Sequence, residues 1–198
     1  PLVFSVVKGK KGHLPEDTHV ELVNKLRPLI PESTKNVVFL GDGEFDGTSL
    51  QQTLTDFGWK YVSRTSSNIT IYADDEPFQI EILAAMLPQG CHKALRSCKI
   101  TKKKYGPVTA VAWWGDDHDE PVFLVTNFWS ASKACEYYSM RFTIETFFSD
   151  QKSRGFNIDK SHLSSPQRLT RLMYASCLAY LWIIFFWYLC MGCGFVLA

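Results

Sequence analysis

The chain has 198 residues, 46% of them apolar and 21% charged, which is enough for one ordinary globular core and excludes a disordered polypeptide. Its 21 Lys and Arg against 20 Asp and Glu leave a formal charge of +1. No global field therefore draws it to nucleic acid, and any such contact rests on local clusters such as Lys8, Lys10 and Lys11 or Lys102 to Lys104.

Six cysteines (Cys91, Cys98, Cys135, Cys177, Cys190 and Cys193) are scattered rather than packed at the spacing of a secreted disulfide scaffold, so a reducing cytoplasm is expected. Cys190 and Cys193 have the spacing of half a zinc site, but no second pair completes it, and they read as small apolar residues on a helix.

The run Leu2 to Val7 suits a buried strand, and Lys8-Gly9-Lys10-Lys11-Gly12 the basic turn that ends it. With no initiator methionine or leader before it, this end reads as cut. A helix is expected next, capped by Asp17 and Thr18, carrying Val20, Leu22, Val23, Leu26 and Leu29 at helical spacing and stopped by Pro31.

Asn36 to Leu40 reads as a strand that Gly41-Asp42-Gly43 follows, which sets Asp42 at the strand's C-terminal end. Thr48 to Phe57 reads as a helix ended by Gly58, and Lys60 to Arg64 as a strand. The β-α-β-α-β order predicts an α/β fold with a parallel component.

From about residue 69 to 127 short extended pieces, including Ile69 to Tyr72, Val108 to Trp114 and Val122 to Thr126, alternate with turns, as in antiparallel hairpins. Asp116-Asp117-His118-Asp119-Glu120 reads as a solvated hairpin loop. Ser132 to about Phe156 returns to helical spacing, and Ser165-Pro166 starts a last helix. No linker or repeat divides the chain, so a single domain is expected over 1–198.

The chemistry concentrates in Tyr138, Arg141, Glu145 and Lys152. On one continuous helix, at about 100° per residue, all four fall within a wedge of about 60°. Met140, Ile144 and Phe147 face the other way and would anchor the helix on a core. A carboxylate flanked by two cations and a phenol suits a phosphate diester: Glu145 to hold a divalent metal, Arg141 and Lys152 to neutralise phosphates, Tyr138 to donate to a phosphate oxygen. Residue usage produces this spacing by chance with a probability on the order of one in a thousand.

The spacing resembles the bacterial insertion-sequence transposases of the DDE type, defined by a Tyr-(2)-Arg-(3)-Glu-(6)-Lys signature around their last catalytic acid. Val37 to Phe45 is similar to the family's strand ending in its second catalytic aspartate, here Asp42. The resemblance runs from about Leu2 to about Ile184. It implies a ribonuclease H-like core with a β-rich insertion, and catalytic, metal-holding roles for Asp42 and Glu145. It also implies DNA contacts by Tyr138, Arg141 and Lys152, Mg2+ with Mn2+ as substitute, DNA (element ends and target) as partner, and a homodimer of the full-length protein.

The family's first carboxylate lies upstream of the strand that Leu2 to Val7 represents, so the chain is expected to be an incomplete catalytic domain lacking its N-terminal strands. Neither Asp17, at a helix start, nor Asp46, in the same turn as Asp42, replaces it. Trp113 or Trp114 in the insertion is placed either in core packing or stacked on a base drawn out of the duplex.

Leu172 to Ala198 holds no charged residue and is long enough to span a bilayer. Its first half, to Ile184, resembles the family's buried last helix. The alternatives to a transposase are thus a remnant that binds DNA without cutting it and a membrane-anchored protein.

Overall fold

The computed structural model describes residues 14–192, apart from the side chains of residues 153–154 and 191–192. The expected strand Leu2 to Val7 and the basic turn after it lie outside the described residues, as does Cys193. The chain divides into two compact units, one built from Lys11–Arg141 and the other containing Phe142–Ala198.

The first unit is a seven-stranded mixed sheet. Its strands are β1 (Val38–Gly41), β2 (Lys60–Thr65), β3 (Thr70–Ala73), β4 (Glu76–Gln79), β5 (His92–Ile100), β6 (Tyr105–Trp113) and β7 (Val122–Thr126), in the spatial order β1-β2-β7-β6-β5-β3-β4. Among the described strands, only β1 and β2 pair in parallel. The residues between β2 and the next helix thus fold as the expected hairpins, and they extend the sheet begun by β1 and β2.

Helices α1 (Glu16–Leu26) and α2 (Thr48–Asp56) cover one sheet face. There Val23, Leu50 and Leu54 pack with Tyr61, Ile71, Ile100 and Val125. Helix α3 (Ala131–Ser139) covers the other, with Ala134, Cys135 and Tyr138 against Val62, Val111 and Leu124. Alternate residues of one strand feed opposite clusters, as period-two geometry requires.

Two local solutions position this unit. Helix α1 begins at Glu16 without a side-chain cap, so Asp17 and Thr18 sit inside the first turn rather than capping it. The Glu16 carboxylate instead accepts from the backbone N–H groups of Ser49 (2.6 Å) and Leu50 (3.2 Å) and caps α2, whose own N-cap residue, Gly47, has no side chain to do so. A Cβ at Gly47 would collide with that carboxylate.

At the end of α2, Gly58 takes φ +72°, the left-handed conformation in which glycine closes helices without strain. At the other side of the sheet Asn127 extends the β2–β7 ladder through its amide. Its Oδ1 accepts from Tyr61 N (3.0 Å) and its Nδ2 donates to Trp59 O (2.9 Å).

The second unit holds α4 (Phe142–Ser149), a π-helical turn (Asp150–Arg154) and α5 (Pro166–Gly192). The helix expected from Ser132 to about Phe156 is therefore broken. Helix α3 stops at Ser139, Met140 and Arg141 form a turn, and α4 restarts at Phe142.

Phe147 packs edge-on against Tyr180, and the Tyr180 hydroxyl meets Asp150 Oδ2 at 3.3 Å. Most of α5 is exposed: Leu178, Leu181 and each residue from Trp182 to Leu189 lie largely open, and among its described residues only Ser176 and Cys177 are buried. Of Leu172 to Ile184, expected to be buried by resemblance to the family's last helix, Ser176 and Cys177 are buried, whereas Leu178 and Leu181 to Ile184 are exposed. Residues Pro166–Cys190 form a helix long and apolar enough, by length and composition, to cross a membrane.

Candidate active site

Strand β1 delivers Asp42 at its C-terminal end, as expected. The backbone there stays extended (φ −78°, ψ −179°) before a short 3-10 turn (Gly43–Phe45) that Asp42 caps, its Oδ1 accepting from Gly43 N at 2.7 Å. The other oxygen, Oδ2, is left facing Arg141, whose Nη1 lies 3.5 Å away across 99 residues of chain. The Asp42 side chain is 53% exposed and that of Arg141 15%. With the carboxylate half open to water, the pair contributes at most about 1 kcal/mol to stability.

Tyr138 completes the cluster. Its ring lies 5.4 Å from the centre of the Arg141 guanidinium. It was expected on a polar face looking into a cleft. In fact the side chain is only 5% exposed and packs in the α3 cluster, because α3 lies flat on the sheet and turns this residue inward.

The buried phenol oxygen makes no hydrogen bond of normal geometry to another described residue; Arg141 acts on it electrostatically without being aligned to it. Burial raises its pKa, Asp42 raises it further, and Arg141 and Arg64 lower it. The phenol stays protonated and is available as a donor.

The structure thus brings Asp42, Tyr138 and Arg141 together. Glu145 and Lys152 lie in the second unit, in α4 and in the π-helical turn. The single helical wedge is a correction: the break at Met140–Arg141 and the i→i+5 turn at Asp150–Arg154 interrupt the rotation on which it depended. The proposed anchors behave accordingly, with Met140 and Ile144 exposed rather than seated on a core.

Asp46 cannot join Asp42, since its Oδ2 accepts from Thr65 Oγ1 at 2.8 Å. Trp113 packs on the His118 ring and Trp114 donates to His118 O at 2.9 Å, so both hold the β6–β7 loop. Among the described residues no group of three or more His, Cys, Asp or Glu side chains could hold a metal ion. Asp42 offers one hard, half-exposed carboxylate oxygen already turned towards a cation, the donor chemistry that suits Mg2+.

The end of β1 thus carries the Asp42 carboxylate, with Tyr138 and Arg141 brought beside it by α3 and the turn that follows it. Residues 7–182 match the family model described as the transposase DDE domain; the match spans most of the chain, and the chain belongs to that family. Its members cut and transfer DNA. No curated protein matches the sequence.

Proposed function

We propose that this chain is the C-terminal part of the catalytic domain of a bacterial, cytoplasmic DNA transposase. Its core is ribonuclease H-like, and its chemistry is metal-dependent strand cleavage followed by strand transfer. The carrying observation is the meeting of Asp42 and Arg141 at the end of β1, two residues that the family resemblance singles out independently. The other side-chain roles follow from the signature.

Asp42 and Glu145 are the metal ligands, with Mg2+ as the natural ion and Mn2+ as its substitute. When bound, the ion supplies Lewis-acid activation of the attacking hydroxyl and charge stabilisation at the phosphate. Arg141 shields the Asp42 carboxylate in the free protein and turns to a phosphate oxygen when DNA enters. Tyr138 donates a hydrogen bond to a phosphate oxygen, and Lys152 neutralises a further phosphate. The full-length protein acts as a homodimer on element ends and target.

A second reading is DNA binding without cleavage, through Arg141, Lys152 and the basic clusters. Mg2+-dependent cleavage of labelled element-end DNA separates the two. It is measured for this chain, for a version extended upstream to include the first aspartate, and for each with Glu145→Gln. Cleavage by the extended protein alone, abolished by Glu145→Gln, supports the enzyme. An inert extended protein, or one indifferent to Glu145→Gln, overturns the active-site assignment.

A further inference from the structure

The parallel register of β1 and β2 pairs Leu40 with Val62 and Gly41 with Ser63. Continued by one residue, it sets Asp42 beside Arg64. The pleat puts Arg64 on the same face as Val62, and the residue opposite Arg64 on β7 is Leu124. Both Val62 and Leu124 belong to the cluster under α3, so Arg64 shares a face with Asp42, Tyr138 and Arg141.

Arg64 is nevertheless exposed. Among the described residues it makes no ion pair, although a carboxylate stands beside it. An arginine at the end of a central strand, flanked by a buried core and left without an acid, has nothing structural to hold. Its charge also reaches the Tyr138 phenol, which it shifts in the same sense as Arg141 does.

The geometry points to Arg64 as a phosphate-binding residue of this site, one that forms with Arg141 a two-guanidinium cradle for a DNA backbone phosphate next to Asp42. This deepens the transposase reading and rests on it. The chemistry is that of two planar cations converging on an oxyanion. The strand supplies rigidity: Arg64 is fixed by the sheet, and Arg141 by the turn that follows α3. Two guanidiniums approaching from different elements fix the orientation of a phosphate as well as its position.

The test is equilibrium binding of a fluorescein-labelled duplex of about 20 base pairs, read by anisotropy across a salt series. Wild-type chain is compared with Arg64→Gln, Arg64→Lys, Arg141→Gln and, as a remote control, Lys25→Gln. Thermal melts accompany each protein and should be unchanged for Arg64→Gln, whose side chain is in solvent.

One lost phosphate contact lowers the steepness of the log affinity against log salt plot by about one and weakens binding roughly five- to tenfold at 0.1 M salt. Arg64→Lys restores the slope and part of the affinity, and Lys25→Gln changes neither. If Arg64→Gln binds with wild-type affinity and slope while Arg141→Gln is impaired, the cradle lacks Arg64 and the proposal falls, with the transposase reading intact. If the wild-type chain binds no duplex at all, both fall together.

Discussion

Between residues 14 and 141 apolar side chains disappear into two clusters on either side of the sheet. From Phe142 onward the described apolar side chains are largely exposed: α4 buries none of its residues, and α5 presents an unbroken exposed run from Leu181 to Leu189. Polar groups differ in the same way. The half-buried amide of Asn127 is used at both ends, whereas Gln151, fully hidden in the second unit, has neither amide atom hydrogen-bonded among the described residues, a cost of about 1–3 kcal/mol.

The second unit is the richer of the two in apolar residues, so apolar content alone does not make a core. Alternation on strands sorts side chains to two faces that separate helices can cover, while a helix apolar on all sides has no single face to hide.

Core truncation should expose that contrast most strongly. Leu124→Ala, at a fully buried position between β2 and β6, is expected to lose about 2–5 kcal/mol in urea unfolding, and a loss below 1 kcal/mol would show the sheet to be loosely packed. Removing the carboxylate that caps α2, by Glu16→Ala, should cost about 1–2 kcal/mol. A Gly47→Leu variant should lose the same cap by displacing the carboxylate, so the double variant should be less than additive.

Alkaline titration probes the α3 side specifically. Burial pushes the Cys135 thiol up to about 12 from its ordinary 9.0. The unfolded chain therefore releases this proton first, and stability that is complete below pH 9 declines as pH rises towards 12. Cys135→Ala should flatten that decline in melts taken across the range; an unchanged slope would assign it to other groups.

The smallest effect is expected in the second unit. Trp182→Ala, at a side chain 57% exposed, should shift stability by no more than about 0.5 kcal/mol, despite removing the largest of side chains. A loss of several kcal/mol would mean that α5 is covered in solution.

Much of the first unit was legible because its signals are local. The helix expected over Thr48 to Phe57 ends at the expected glycine, and the strands at Lys60 and Val122 begin where their apolar runs begin. Strand β5 escaped notice. His92 to Ile100 interleaves three basic residues with apolar ones, and its register shifts between Leu95 and Cys98, where Ser97 takes φ +55°, so no clean alternation survives.

In the site, Asp42 and Arg141 were readable from motif and strand end. The helix break was not, since Tyr138 to Glu145 contains neither glycine nor proline and nothing local announces the turn. Arg64 was invisible for another reason: its place beside Asp42 exists only through the pairing of two strands, a relation that no single segment encodes.

The Asn127 clamp carries a further implication. Strand β7 runs directly into α3, and α3 into the turn bearing Arg141, while β2 runs alongside β1 and so locates Asp42. The amide of Asn127 is the rivet at which these two arms of the chain are joined. A small rotation there is lengthened along α3 before it reaches the guanidinium, so alignment at the site is set far from it, by a residue with no chemistry of its own. Tolerance to substitution at this position should therefore be judged by the angle it permits rather than by the stability it removes.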